Sequence, residues 1–224
     1  MALKKNDFIE IEFIAKIKDG GVFDTNIKEE LEKLNPQAKA APFVFSIGHD
    51  MFLKGVDEYL MNNEIKIPSE HKIELTPEKA FGKREPKMIQ LMPSSVFTAQ
   101  KVNPQQGMTF NFDGRIGKII SVSGGRVRVD FNNPLAGRDV VYDIKILKKV
   151  DDKNEQIKAL NEFFFRRDFK FEVKDKKLIL EAEKGMKQFV ELFKDKYKEI
   201  LDLDLETKEI EKKEPKKEEK TTEK

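Results

Sequence analysis

The sequence contains no cysteine and no tryptophan, and it has only two histidines among 224 residues. A chain without cysteine cannot form a disulfide, and it offers neither a thiolate nucleophile nor a thiolate ligand. The two histidines, His49 and His71, are a weak ligand set on their own. We therefore expect no bound metal and no cofactor.

Long apolar runs and an excess of one charge are also missing. No window approaches the roughly 20 apolar residues that cross a bilayer, and the first residues carry no apolar signal core. The 43 basic residues are balanced by 41 acidic ones, so the chain has no strong field to hold a phosphate backbone. These absences predict a soluble cytoplasmic protein that binds neither membranes nor nucleic acid.

Phenylalanine, in contrast, is abundant, with 18 residues. Three stretches place aromatic and apolar residues beside glycine and an acid: GGVFDTN (residues 20–26), IGHDMFLKGVDEYL (47–60) and PEKAFG (77–82). None of them pairs a nucleophile with a base. The residue types alone therefore leave the chemistry of this set open.

Alternation of apolar and charged residues with a period of two predicts strands in DFIEIEFIAKI, EIKIPSEHKIEL and VVYDIKI. A short helix is expected after Gly48, because Phe52, Val56 and Leu60 then share one face. The predicted fold class is α+β, with an antiparallel β-sheet wrapping this short helix. It comprises residues 1–85 and 132–151.

Two further structural units are expected. Residues 86–131 have their own apolar alternation and a Gly-Gly hairpin, which predict a small β-rich domain inserted into the first. Residues 152–205 predict a C-terminal α+β module made of a helix, a hairpin with its turn near Asp175, and a second helix. Residues 206–224 are charged throughout and are expected to be disordered.

The three aromatic stretches, followed by NPLAGRDVVYDIKI, resemble the FKBP-type peptidyl-prolyl cis-trans isomerases in their order and spacing. Residues 86–131 resemble the insert-in-flap chaperone domain of the SlyD-like subfamily, and the C-terminal extension is similar to that of its long archaeal members. The resemblance implies isomerisation of X-Pro bonds without proton transfer or a covalent intermediate. It would explain the missing nucleophile.

A pocket of aromatic and apolar side chains around the prolyl ring is what this resemblance implies. Asp24 would orient or polarise the twisting amide, and Leu53 would donate its backbone N–H to a substrate carbonyl. Phe23 and Tyr142 complete the implied catalytic set. The implied substrate-binding residues are Phe13, Phe43, Phe52, Val56, Phe81, Leu135 and Ala136.

Two positions depart from the family's pattern. Trp is common where this chain has Val56, so the smaller side chain should deepen the pocket and lower its affinity for ligands. Tyr is usual where this chain has Phe81, so a hydroxyl bond to the substrate is lost. These departures leave a second hypothesis open, a holdase or assembly scaffold with a decayed isomerase pocket. Asp24 has an alternative role as an Asx-turn residue.

The resemblance also implies that the insert captures unfolded or partly folded polypeptides that contain proline. Its candidate binding surface is rich in methionine, whose flexible side chain adapts to many partners. The alternative is that the same side chains only fill a small core. They are Met88, Ile89, Leu91, Met92, Val96, Phe97, Met108 and Phe110.

The C-terminal module is expected to form a homodimer through residues 152–205. Its predicted helices have apolar faces, one with Ile157 and Leu160 and another with Phe189 and Phe193. About fifty residues seldom enclose that much apolar surface alone, so a second copy of the chain should cover the remainder.

Overall fold

The structure is a computed structural model, and it describes residues Leu3–Ile210. In this range the chain forms twelve strands in three sheets, together with six α-helices and three short 3-10 segments. No α-helix within residues 3–210 has both the length and the apolarity that crossing a membrane requires.

The first sheet is antiparallel and contains five strands. They are β1 (Phe8–Ile17), β2 (Val22–Thr25), β3 (Phe43–Ser46), β4 (Ser69–Leu75) and β9 (Val140–Lys149). Their order is β2-β1-β9-β4, and β3 pairs with the first half of β1, beside the position of β2. Alternate residues of β9 from Val140 to Ile146 are buried, as the period of two in the sequence predicts.

Helix α2 (Lys54–Asn62) packs against this sheet through a glycine. A Cβ atom at Gly55 would lie 2.6 Å from Leu75 Cδ2 and 2.7 Å from the Lys79 carbonyl oxygen. Only glycine therefore allows this approach of α2 to β4 and to the segment that leads to Phe81. The predicted α+β fold class, with an antiparallel sheet around a short helix, is confirmed. The connection between β2 and β3 contains helix α1 (Lys28–Leu34).

The second sheet lies within residues 86–131 and has its own core. Its strands are β5 (Ile89–Pro93), β6 (Thr109–Phe112), β7 (Arg115–Ser123) and β8 (Arg126–Asp130), with helix α3 (Ser95–Thr98) between β5 and β6. They are arranged in the order β5-β8-β7-β6. Phe97, Ile119, Val127 and Val129 are completely buried between them.

The chain leaves the first unit and returns to it at one narrow point. The Glu85 N–H donates to Asn132 Oδ1 (2.8 Å), and Asn132 Nδ2 donates to the Glu85 carbonyl oxygen (3.1 Å). Arg84 and Asp130 form an ion pair beside these bonds. We refer to this junction of Glu85 and Asn132 as the neck.

The C-terminal module begins with helix α4 (Lys153–Phe165) and a hairpin of β10 (Phe171–Lys174) and β11 (Lys177–Glu183), whose turn contains Asp175. Two short helices follow, α5 (Lys187–Glu191) and α6 (Lys194–Leu201), and then β12 (Asp204–Ile210), which pairs in parallel with β11. The expected single second helix is thus divided in two.

Strand β12 corrects the expected start of the disordered tail. Residues 206–210 belong to this strand, and residues 211–224 lie outside the described residues. The sequence hides β12 because Leu205 is its only fully buried side chain and charged residues dominate the rest. An edge strand with one buried side chain shows no alternation of apolar and polar residues in its sequence.

The C-terminal module and the first sheet share one connected apolar core. Polar contacts add to it: Lys5 Nζ lies 2.8 Å from Glu199 Oε1, and Asn6 Nδ2 donates to the Glu199 carbonyl oxygen (2.8 Å). The buried His49 ring contacts Asn6 Oδ1 through Nε2 (2.6 Å). Part of the apolar surface that the module cannot enclose by itself is therefore covered within the same chain.

Candidate functional site

The concave side of the first sheet carries a connected cluster of seven aromatic rings. Phe52 occupies its centre, with its ring centroid 5.3 Å from Phe13 and Phe43 and 5.4 Å from Phe45 and Tyr142. Phe23 joins the cluster by edge contacts to Phe81 (5.7 Å) and Tyr142 (6.1 Å). The six aromatic residues singled out in the sequence are thus brought together, and Phe45 is a seventh that sequence reasoning missed.

A cavity of about 800 Å³ opens beside this ring cluster. Four of the sequence-predicted site residues line it: Phe13, Asp24, Phe43 and Phe52. Val56 has no exposed surface and Tyr142 is only 3% exposed, so both lie behind the rings that face the cavity. Val56 does not line this cavity, and the deeper pocket expected at its position stays a prediction.

The DTN motif places Asp24 at the cavity through the side chains of its two neighbours. Thr25 Oγ1 donates to the Phe13 carbonyl oxygen (2.7 Å). Asn26 Nδ2 donates to the Ile11 carbonyl oxygen (2.8 Å), and its Oδ1 accepts from the Phe13 N–H (2.8 Å). Thr25 and Asn26 therefore fasten the motif to β1. Both are positioning residues that the sequence reading missed, although they adjoin Asp24.

The Asp24 carboxylate is more than a third exposed, and its Oδ1 accepts from the Thr25 N–H (2.9 Å). Partial burial beside the rings raises the pKa of Asp24, and the Thr25 hydrogen bond opposes this only in part. Burial also raises the pKa of Tyr142, with a smaller contribution from the Asp24 charge. The bond to the next residue differs from an Asx turn, which closes two residues onward.

Leu53 precedes the first turn of α2, and its carbonyl oxygen accepts from the Val56 and Asp57 N–H groups. In residues 3–210 the Leu53 N–H itself has no hydrogen-bond acceptor. Leu53 is half-buried and follows Phe52 directly in the chain, but it does not line the cavity.

Leu135 and Ala136 lie in a turn on the Phe81 side of the cluster. The Leu135 N–H donates to Asn133 Oδ1 (2.9 Å), and the Gly137 N–H donates to the Gly82 carbonyl oxygen (2.8 Å). This second bond fixes the turn next to Phe81. Both residues are half-buried, and neither lines the cavity.

The candidate surface of the insert is divided between its core and its exterior. Phe97 is fully buried, which corrects its assignment to the binding surface: its ring holds α3 against the sheet. Met92, Val96 and Phe110 pack against the same core and remain partly exposed. Met88 and Ile89 are half-buried. The exposed apolar side chains are Leu91, Met108, Ile116 and Val122, and the last two were not anticipated.

Within the described residues, no group of three or more His, Asp or Glu side chains is arranged to hold a metal ion. His71 contacts Tyr59 Oη through Nδ1 (3.2 Å) and Ser69 Oγ through Nε2 (2.8 Å). Its two ring nitrogens are thus engaged within the sheet and helix.

Comparison with known proteins identifies the family of the chain. The chain is 33% identical over 148 residues to a short-type peptidyl-prolyl cis-trans isomerase of Methanocaldococcus jannaschii, a match that covers 64% of this chain and 92% of the relative. It is 25% identical over 152 residues to the FKBP-type 16 kDa peptidyl-prolyl cis-trans isomerase of Escherichia coli, covering 66% of this chain and 93% of that protein. The chain belongs to the FKBP-type peptidyl-prolyl cis-trans isomerases.

Within this family the isomerase is SlyD-like. It is 25% identical over 162 residues to the FKBP-type isomerase SlyD of Haemophilus influenzae, covering 70% of this chain and 77% of the relative. The family model for the FKBP26 IF domain matches residues 90–135, which span β5 to β8. About a third of the isomerase lies outside the alignments to these relatives.

Asp57 of the isomerase supports the loop that carries Phe52 and Leu53. It lies in α2 and is only 3% exposed, and its carboxylate accepts from the backbone N–H groups of Gly48 and Asp50. One of its oxygens, Oδ1, is buried without a hydrogen-bond partner in residues 3–210. Burial raises the pKa of Asp57 to about 6.

A raised pKa means that the folded protein holds the Asp57 proton more tightly than the unfolded chain does. Between about pH 4 and pH 6 the folded state therefore binds more protons, and stability falls as the pH rises. Asp57→Asn removes this dependence. We expect the free energy of unfolding of the wild type, minus that of the variant, to fall by about 1–3 kcal/mol from pH 4 to pH 7.

Urea unfolding at pH 4, 5, 6 and 7 measures this difference. Asp19→Asn, the same chemical change in an exposed turn, is the control. Parallel curves for wild type and Asp57→Asn across the range would show that Asp57 is ionised in the fold at all these pH values.

Proposed function

We propose that this isomerase binds an X-Pro segment against the rings that face the cavity and lowers the barrier to rotation about the prolyl bond. The observation that supports this most directly is the ring cluster with the Asp24 carboxylate at the cavity beside it. Phe13, Phe43 and Phe52 supply an apolar surface for the pyrrolidine ring. Asp24 supplies a polar contact there, and the Leu53 N–H, which follows Phe52 in the chain, supplies a free donor.

Such a site accelerates isomerisation by its environment alone. The uncatalysed barrier of about 18–20 kcal/mol arises from amide resonance, which is lost as the C–N bond twists. The twisted amide is less dipolar than the planar one, so a water-poor aromatic surface destabilises the transition state less than the ground state. A differential effect of about 4–6 kcal/mol corresponds to three to four orders of magnitude in rate.

Asp24 acts in this proposal through its charge. A carboxylate at the rim repels the carbonyl oxygen of the planar amide and favours the orientation in which that oxygen has turned away. The Leu53 N–H then donates to a neighbouring carbonyl oxygen of the substrate and holds the chain while the bond rotates.

Asp24→Asn is expected to lower kcat/KM on a proline-containing tetrapeptide by about tenfold, or about 1.4 kcal/mol. Because the pKa of Asp24 is raised, wild-type activity should decline as acidification protonates this carboxyl, whereas the Asn variant should lack that decline. A coupled peptide assay from pH 4 to pH 8 measures both effects, with Asp139→Asn as an exposed control. A wild-type protein without activity on the peptide would instead support a holdase with a decayed pocket.

We further propose that the insert binds unfolded polypeptides and thereby delivers prolyl bonds to the pocket. Its sheet exposes Leu91 (56%) and Ile116 (65%), which are large apolar side chains on a domain too small to cover them. A tethered chain has a high effective concentration at a neighbouring site on the same molecule.

Leu91→Glu with Ile116→Glu should slow catalysis of a proline-limited protein refolding reaction by about tenfold, while tetrapeptide turnover stays unchanged. Gln90→Glu with Thr109→Glu adds the same charge to exposed positions of the same sheet and retains the apolar side chains. This control should refold the client like the wild type. Equal losses on peptide and protein in the first variant would contradict delivery by the insert.

We also propose that the C-terminal module associates with a second copy. Leu192 is 76% exposed and Phe189 is 44% exposed, so α5 and the residue that follows it present an apolar surface beside β12. Burial of such side chains contributes about 1.5–3 kcal/mol each when a partner covers them.

Sedimentation of the full chain at micromolar concentration is expected to give the mass of a dimer. Leu192→Asp with Phe189→Asp should give a monomer of unchanged helical content. A wild-type monomer at these concentrations would refute the dimer and leave the isomerase assignment untouched.

A further inference from the structure

The cavity beside the ring cluster has a second wall, which comes from the C-terminal module. Opposite Phe13, Phe43 and Phe52, it is lined by one face of α4, which includes Ala159 and Phe163. Helix α1 and the loop after it, residues 31–42, close a third side. The candidate substrate site is therefore bounded by the first unit and by the C-terminal module.

Helix α4 uses two different faces. Ile157 and Leu160 are buried in the apolar core of the module. The residues that line the cavity recur every three or four positions on the other face, and they are Glu155, Lys158, Ala159, Glu162, Phe163 and Arg166. Phe163 and Ala159 on this face are only half-buried. Both also pack against the shared apolar core, so this face contributes to packing and still leaves part of its surface at the cavity.

Three charges on the cavity face have no ion-pair partner within the part of the chain that the structure describes. They are Lys158, Glu162 and Arg166, and all three are exposed. Other charges that line the cavity are paired, as Lys148 is with Glu10 (3.3 Å) and Glu155 (2.9 Å). These free charges, beside a half-exposed aromatic ring, form a surface suited to a polypeptide with mixed side chains.

The wall is fixed in place before anything binds. Asp152 Oδ1 accepts from the Asn154 N–H (2.6 Å) and the Glu155 N–H (3.1 Å), which caps α4. Gln156 Nε2 donates to the Val150 carbonyl oxygen at the end of β9 (2.7 Å). Lys148 of β9 contacts Glu155 of α4 at the edge of the cavity. A rigid wall contacts a ligand with little loss of conformational entropy.

We propose that α4 is the second wall of the substrate groove and that it selects clients by the residues flanking the proline. This rests on the proposed function, in which the prolyl ring binds against Phe13 and Phe52. From Glu155 to Arg166 the wall is about 16 Å long at about 1.5 Å per residue. An extended chain rises about 3.3 Å per residue, so about five residues lie along it.

The chemistry of the wall defines the preferred segment. A large apolar residue several positions from the proline, beyond the ends of a tetrapeptide, packs against Phe163 and Ala159. Acidic residues further along are favoured, because Lys158 and Arg166 outnumber Glu162 among the unpaired charges of this face. A tetrapeptide fills the part of the cavity beside the ring cluster, and it is too short to reach most of α4.

The test compares two substrates of the full-length protein. One is a tetrapeptide with a single proline, and the other is a dodecapeptide with the same proline between leucine-containing flanks. Phe163→Ala should lower kcat/KM for the dodecapeptide by about tenfold and leave the tetrapeptide unchanged. Thermal unfolding of the variant checks that the module remains folded.

A charge pair provides a second measurement at exposed positions. Lys158→Glu should weaken binding of a dodecapeptide with acidic flanks by about fivefold and strengthen binding of one with lysine flanks. Arg167→Glu, the same change of sign at an exposed position outside the cavity, should affect neither peptide. Binding measured by fluorescence anisotropy needs no turnover, so it tests the wall even if the ring site proves inactive.

The outcomes separate the two proposals. A wild type that fails to turn over the tetrapeptide contradicts the isomerase site. Variants that change both peptides equally, or neither, contradict the second wall while leaving the isomerase site intact.

Discussion

The arrangement of the site depends on the way strand β1 is shared. One edge of β1 pairs with β3 and then with β2, and the Asn26 amide occupies the position between them by bonding to Ile11 and Phe13. Because of this side chain, the two short strands meet the same edge without a gap in its hydrogen bonding. Phe23 of β2 and Phe43 of β3 are thereby held on opposite sides of Phe13. The Asn26 amide and the Thr25 hydroxyl, which also bonds to Phe13, thus fix the strands that carry these rings.

The rings then determine which kind of chemistry is available. Seven aromatic side chains, including the buried Tyr142, exclude water from one another, and they are accompanied by the Asp24 carboxylate at the cavity and by the free backbone N–H of Leu53. Nothing in this set forms a bond to a substrate. Rotation about an amide needs no such bond, since its barrier is electronic delocalisation within the substrate. The site therefore fits the reaction of the family, because it offers an apolar surface and polar contacts but no nucleophile, and the reaction needs none.

Much of this could be predicted from the sequence, because the alternation in β1 and β9 and the helix after Gly48 are strong local signals. The motif order was sufficient to collect Phe13, Phe23, Phe43, Phe52, Phe81 and Tyr142 into one cluster. Other features depend on long-range packing that no local pattern encodes. Phe97 belongs to the same apolar class as its exposed neighbours, and only the closure of the insert's sheet buries it. Strand β12 has one buried residue, so its sequence shows no strand pattern. The cavity face of α4 can be recognised only in the folded structure, where β3 lies opposite.

The neck between the first unit and the insert has a consequence for how the two can vary. Glu85 and Asn132 hold the outgoing and returning chain side by side, so the ends of the insert are already close together. A domain inserted between them needs only to begin and end at adjacent points. The shape of such a domain therefore does not strain the ring cluster. Inserted domains of different size could therefore be grafted at this junction, and laboratory recombination there should yield folded chimeras with an unaltered ring cluster.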